Sequence, residues 1–374
     1  MKAALISLGS LSSKWTVEAM EKYFDTVEAI NIKDLEVHLN PKGAEVLYQG
    51  KPLDTFDCIY MKGSYRYVQI LSSVTSALVG KAYLPMSADS FTMGHDKLLT
   101  HLKLQQKKIP MPSTYISSTP AAAKQLLEKL NYPIVMKFPS GTQGKGVMFA
   151  DSFSSASSML DALSALNQPV IVQEYIETGG TDIRAVVVGG KVVASMQRSA
   201  VEGEKRANIH AGGSGKACEL DYHTKQLAIK TAEAVGAEIC AVDILEGVKG
   251  PLVIEVNLSP GLQGVTEATG VDVADHTAKY LYAQTKKFVD SEVSTETSKI
   301  FDELNLDKKT KNNIITTLNF RMDRILLPPI VTEITEFRDT DEILITVEKG
   351  LVKLSKSKSP EDASKEKIRK LKRN

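Results

Sequence analysis

Residues 240–257 constrain the chain more than any other stretch. Two short apolar runs, ICAVDIL and PLVIEVN, flank the loop EGVKG. Runs of this length, rich in β-branched residues and separated by a glycine-bearing loop, predict two strands folded into an antiparallel hairpin centred near residues 248–249. Side chains alternate faces along a strand, so Glu255 and Asn257 share one face, roughly 6.5–7 Å apart. In that register Asp243 lies opposite Glu255. Three oxygen-bearing side chains then converge on a surface otherwise made by Leu252, Ile254 and Val256. Hard oxygen donors in this number suit Mg²⁺ or Mn²⁺, ions that keep waters and share sites with phosphate oxygens. An ordinary polar sheet face would read the same way. The Ser259-Pro260-Gly261 that follows favours a site, because a glycine turn there admits an anionic substrate closely.

Two further segments carry chemistry. Lys137 precedes the glycine loop SGTQGKGV, with Gly141, Gly144 and Gly146 between the strands YPIVMKF and VMFA. Such a loop can close over a triphosphate and offer backbone N–H donors, with Lys137 and Lys145 adding positive charge. It lacks the Gly-Lys-Ser/Thr ending of a Walker P-loop and the following helix of a dinucleotide fingerprint. By spacing alone it is also a plain hairpin. The second segment gathers Arg198, Arg206, Asn208 and His210 around the glycine-rich loop 201–216. Arginines beside a metal site neutralise a transferring phosphoryl group, although a charged surface loop has the same composition.

With 374 residues the chain is too long for one core and should form two or three domains. Cys58, Cys218 and Cys240 lie far apart with no Cys-x-x-Cys, which argues against a disulfide framework or structural zinc and fits a reducing cytoplasm. No apolar run approaches a membrane span, and MKAALISLGS reads as a first strand rather than a signal peptide. His95 and His101 are read as surface or capping histidines. Residues 355–374 hold eight Lys/Arg against three acids and read as a solvated basic tail, with nucleic-acid contact as the lesser alternative.

Residues 1–90 alternate strands (2–8, 27–32, 46–49, 57–63) with helices (about 14–24, capped by Ser12 or Ser13, and 67–79), as an α/β domain does. Asp96 and Lys97 open a helix, and Thr119-Pro120 caps the next. Gly189-Gly190 turns a hairpin within DIRAVVVGGKVVASMQR. HTKQLAIKTAEAVG is a helix that turns Leu227, Ala228, Thr231 and Val235 inward and stops at Gly236. A further helix falls near 272–286. Residues 287–310 form a polar linker or a loosely packed helix pair, 311–355 a small β-rich domain, and 356–374 a disordered basic tail.

The segments VMKFPSGTQGKGV, VQEYI, DIRAVVVGGKVV, RANIHAGG and AVDILEGVKGPLVIEVNLSPGLQG, in this order, resemble the ATP-grasp superfamily and within it the RimK-type glutamate ligases. The resemblance covers about residues 1–285. It implies a mixed α/β and α+β architecture: an N-terminal α/β domain (1–90), then an ATP-grasp fold (91–286) with a small lobe over about 91–172 and a large lobe over about 173–286. It also implies a cleft that holds ATP. Lys97 and Lys137 would contact phosphates, and Gly141, Gly144 and Gly146 would cover them. Glu174 and Tyr175 would meet the adenine edge, and Asp182 the ribose. Arg206, Asn208 and Arg198 would face the triphosphate or an acyl phosphate, and Asp243, Glu255 and Asn257 would hold two Mg²⁺ or Mn²⁺ ions. The implied activity is ADP-forming ligation of a carboxylate to an amine, commonly glutamate, on a protein, peptide or cofactor acceptor, by a cytoplasmic homo-oligomer. A nucleotide-binding regulator with a nucleic-acid-binding C-terminus is the alternative. The chain departs from close RimK relatives at His210-Ala211-Gly212-Gly213, where they carry a second arginine. Residues 324–354 faintly resemble an AbrB-like swapped-hairpin half.

Overall fold

The computed structural model describes residues 1–41, 43–139, 146–165, 169–200, 214–303, 319–321, 324–327 and most of 331–356, with backbone alone for 292–303, 319–321 and 324–326. Two compact units divide at Phe288 and Val289.

The first unit begins with three parallel strands in the order β2-β1-β6, from β1 (Lys2–Ser7), β2 (Thr26–Asn31) and β6 (Cys58–Met61). Helix α1 (Leu11–Met20) follows β1. Between β2 and β6, the strands β3 (Leu35–Asn40), β4 (Gly43–Tyr48) and β5 (Lys51–Pro52) form an antiparallel sheet of their own. The expected cap of α1 is corrected: Ser10 accepts the bond from the Ser13 amide. Ser12 is buried, and its hydroxyl is taken by Gln263 and the Leu262 amide. A tertiary partner competes for the cap residue that the sequence offers.

Helices α2 (Val68–Leu78), α3 (Ala88–His95) and α4 (Lys97–Gln106) lead to a four-stranded sheet in the order β7-β10-β8-β9. Its strands are β7 (Thr114–Ile116), β8 (Ile134–Lys137), β9 (Val147–Ala150) and β10 (Ile171–Glu174), with α5 (Pro120–Leu127) and α6 (Phe153–Ala165) between them. Asp96 and Thr119 cap α4 and α5 as expected, each accepting backbone N–H bonds in the first turn.

A five-stranded antiparallel sheet follows in the order β13-β12-β11-β14-β15. It is built from β11 (Thr181–Val188), β12 (Lys191–Ser199), β13 (Ser214–Ala217), β14 (Ile239–Gly247) and β15 (Gly250–Asn257). Helix α7 (Tyr222–Ala234) precedes β14, and α8 (Gln263–Thr269) and α9 (Val273–Glu303) follow β15. Gly189 and Gly190 turn the β11–β12 hairpin with φ of 60° and 71°, a region an L side chain enters only with strain. Gly236 ends α7 with φ of 68°.

The described residues of this unit form two cores. The larger joins the N-terminal sheet to the five-stranded sheet and includes Leu5, Tyr60, Phe91, Leu104, Val242 and Val256. The smaller is confined to the four-stranded lobe, around Leu127, Ile134, Met136, Leu160 and Val172. Helices α3 and α4, expected within the small lobe, give Phe91 and Leu104 to the larger core instead.

In the second unit, β16 (Asn319–Arg321) pairs with β17 (Arg324–Leu326), and β18 (Ile343–Glu348) with β19 (Leu351–Lys356), as antiparallel hairpins. The expected linker is corrected in part, since residues 287–303 continue α9 as one helix. The basic tail from 357 onward lies outside the described residues. No helix among the described residues is long and apolar enough to cross a membrane.

Candidate active site

The site is a row of charge across the five-stranded sheet. Strands β14 and β15 pair antiparallel with Asp243 opposite Glu255 and Gly247 opposite Gly250, the expected register. On the other side Arg184 of β11 stands opposite Asp243, and Asp182 opposite Arg198 of β12. Asp182 and Arg184 are two residues apart, so both project from the same face.

These groups are joined by short charge-assisted bonds. Arg184 donates from Nε to Asp243 Oδ1 at 2.8 Å and from NH2 to Oδ2 at 2.7 Å. Arg198 donates to both oxygens of Asp182, at 2.6 and 2.8 Å, and reaches Asp243 Oδ2 at 2.9 Å. Burial pushes the Asp243 carboxyl up, but Arg184 and Arg198 outweigh it and hold the group down at about 2. Asp182 moves the other way, raised by burial and by the Asp243 charge against the pull of Arg198. Arg198 was expected to face a phosphoryl group and Asp182 a ribose. In the structure they clamp each other, with Arg198 only 5% exposed.

Glu255 extends the row toward α4, where its Oε1 lies 3.4 Å from Lys97 Nζ. Asn257 Oδ1 accepts the Ser259 amide at 3.1 Å, so β15 ends in a side-chain-capped turn. The loop beyond is pinned to the N-terminal domain: Ser259 Oγ accepts from the Gly63 amide at 3.0 Å, and the Leu262 amide donates to Ser12 Oγ at 2.8 Å.

Lys137 is held by a buried relay. Lys137 Nζ donates to Gln173 Oε1 at 2.6 Å. The Gln173 amide nitrogen bonds His101 Nε2 and Thr114 Oγ1, both at 2.9 Å. His101 Nδ1 lies 2.6 Å from the Lys97 carbonyl. A carbonyl only accepts, so Nδ1 carries the proton and Nε2 is the bare acceptor for Gln173. The ring is therefore neutral. Burial first, then the nearby Lys137 and Lys97 charges, hold it at about 4. The expected surface histidine is thus a buried spacer between the backbone of one lysine and the side chain of the other. His95 is also buried at Nε2. Burial likewise brings the Lys137 amine down to about 8.

Glu174 ends β10 and pairs with Ser113, donating its amide to the Ser113 carbonyl and accepting the Ser113 amide at Oε2. Tyr175 stands edge-on to Phe149 with ring centroids 5.9 Å apart. Gly146 closes the glycine loop with φ of 79°, and a Cβ there would lie 2.1 Å from the Phe138 ring. Gly141, Gly144, Arg206 and Asn208 lie outside the described residues.

The donors fit a hard divalent cation. Asp243 uses one lone pair of Oδ1 and two of Oδ2 on the arginines, which leaves a second Oδ1 lone pair among its roughly four acceptor sites. Glu255 is 40% exposed at the side chain, and Asn257 offers a carboxamide oxygen on the same face. Arg184 and Gln173 were not singled out in the sequence, and His101 is read there only as a surface or capping histidine. The Asp-x-Arg spacing was the one available signal for Arg184. Gln173 carries none, since its bonds to Lys137, His101 and Thr114 join residues far apart in sequence.

A family model for the RimK-like ATP-grasp domain matches residues 94–281. A probable alpha-L-glutamate ligase of Serratia proteamaculans is 35% identical over 286 residues, covering 75% of this chain and 95% of that protein. In fold, the ATP-grasp ligase PsnB, solved with minimal precursor, Mg and ADP, superposes with a TM-score of 0.60 at 17% identity, over 76% of this chain and 98% of that one. A RimK domain ATP-grasp protein from Sphaerobacter thermophilus gives 0.59 at 20% identity, over 75% of this chain and 99% of that one. The chain belongs to the RimK-like ATP-grasp family of ATP-dependent carboxylate–amine ligases.

Proposed function

We propose that the protein adds L-glutamate to the carboxylate of a protein, peptide or cofactor acceptor by way of an acyl phosphate. The observation that carries this reading is the cross-strand row of Asp243 and Glu255, flanked by Arg184 and Arg198 on one side and Lys97 on the other. The glutamate itself rests on the names of the relatives, such as the Serratia proteamaculans protein.

Asp243, Glu255 and Asn257 would hold two Mg²⁺ or Mn²⁺ ions, which when bound supply Lewis-acid neutralisation of the phosphate oxygens. Lys97 and Lys137 approach phosphate from the two lobes. Arg206 and Asn208 offer donors from the 201–213 segment, and Gly141, Gly144 and Gly146 let backbone N–H groups approach. Glu174 at the end of β10, and Tyr175 after it, would meet the adenine edge. The protein does the work of positioning and charge neutralisation, and no side chain serves as a covalent nucleophile.

The test is ADP release with L-glutamate and candidate acceptors, comparing the native chain with Glu255→Gln. Acceptor-dependent ADP that falls about 10²-fold in the variant is expected. No acceptor-dependent ADP in any mixture, together with salt-sensitive nucleic-acid binding, would overturn the reading.

A further inference from the structure

Lys62 is anomalous for a charged residue. It follows β6 at the carboxyl end of the parallel sheet, it is 4% exposed, and its amide is fixed to the Ile6 carbonyl at 2.8 Å. Among the described residues its amine has neither an ion-pair partner nor a hydrogen-bond acceptor. Burying an ammonium without counter-charge is among the costliest arrangements in a protein. Burial alone accounts for the fall of its amine to about 8, and no carboxylate opposes it.

The amine is nevertheless not sealed. Among the described residues the one buried and unpartnered side-chain nitrogen or oxygen is His95 Nε2, so Lys62 Nζ keeps an opening to solvent. Strand alternation puts Lys62 on the face of β6 shared by Cys58 and Tyr60. Cys58 meets Thr285 of α9, and Tyr60 lies by Cys240 of β14, so this face looks toward the large lobe. The next residue, Gly63, donates to Ser259 Oγ, and the Ser259 amide donates to Asn257 Oδ1. Lys62 therefore stands where the carboxyl edge of a parallel sheet meets the loop leaving the ligand strand. In open α/β sheets that edge is where ligands bind.

We propose that Lys62 is the receptor for a substrate carboxylate, seated between the carboxyl edge of the N-terminal sheet and the 258–262 loop. This rests on reading the chain as a carboxylate–amine ligase. An anion arriving there supplies the counter-charge that the protein withholds, so binding energy is drawn from relief of a buried, unpaired cation. The carboxylate belongs either to the acceptor or to the incoming amino acid. A structural lysine whose stem fills space while its head reaches water is the competing account.

Calorimetry with AMPPNP and Mg²⁺ present separates these, using L-glutamate and N-acetyl-L-glutamate, whose blocked amine leaves it only the acceptor role. Lys62→Met should weaken at least one of the two by tenfold or more, leave AMPPNP binding within twofold, and be rescued to within threefold by Lys62→Arg. Loss confined to N-acetyl-L-glutamate assigns the acceptor carboxylate, and loss confined to L-glutamate assigns the amino acid. Unchanged binding of both, or loss of AMPPNP in parallel, overturns the proposal. Should the native chain bind neither, the same comparison with succinate, citrate and L-aspartate decides. Lys62-dependent binding there removes glutamate from the proposed function and keeps Lys62 as receptor, whereas no Lys62-dependent carboxylate at all removes the receptor.

Discussion

Arg184 and Asp243 face each other across β11 and β14 and are joined by two parallel bonds of 2.8 and 2.7 Å. A bidentate guanidinium–carboxylate pair fixes orientation as well as charge, so this arginine sets the direction in which Asp243 presents its remaining lone pair.

Arg184→Met leaves a buried carboxylate with half its neutralisation and should cost about 3–5 kcal/mol of stability. Arg184→Lys keeps the charge but not the fork, and about 1–3 kcal/mol is expected. Urea unfolding of both variants measures the ordering, and equal losses would show that the fork geometry, not the charge, is what matters.

Gln173 separates two functions in one side chain. Gln173→Leu strands the Lys137 amine and the His101 ring, at a cost of about 1–3 kcal/mol. Gln173→Glu still accepts from Lys137 but has no N–H for His101 Nε2. The ring should then gain a proton more readily, and its titration, followed by imidazole NMR, should move up from about 4.

His101 also predicts an acid limit. Its pKa is depressed in the folded chain, so the unfolded chain binds the proton more tightly. The neutral ring's contribution is intact above about pH 6.5 and is lost as pH falls from there toward 4. Over that window His101→Gln, which does not titrate, should lose about 3 kcal/mol less than the native chain in denaturant unfolding.

Gly94 of α3 lies against Leu258, between Asn257 and the loop residue Ser259. A Cβ at Gly94 would stand 2.6 Å from Leu258 Cγ. Gly94→Ala should destabilise by about 1–3 kcal/mol and displace the ligand strand, lowering ADP release. Adding Leu258→Ala should recover part of both, and a double-mutant cycle reads the coupling directly.

Local pattern made the hairpin of β14 and β15 legible, because period-two alternation and a glycine turn fix register within a few residues. Capping chemistry did the same for α4 and α5 at Asp96 and Thr119. The strands β3 to β5 were less legible, since they are largely exposed and carry Glu36, His38 and Glu45 where an apolar face would announce them. Ser12 misled for the opposite reason: a good cap residue was recruited by a loop about 250 positions away. Charge pairing was the least legible level. Nothing local in the sequence joins Gln173 to His101 or leaves Lys62 without a partner.

The two separate cores have a mechanical meaning. Lys97 rides on a helix rooted in the larger core, whereas Lys137 belongs to the sheet that wraps the smaller one. The boundary between the cores therefore runs between these two lysines, and the relay from Lys137 through Gln173 and His101 to the Lys97 carbonyl crosses it. A short chain of hydrogen bonds, Gln173 to His101 foremost, therefore couples two halves whose apolar interiors are separate.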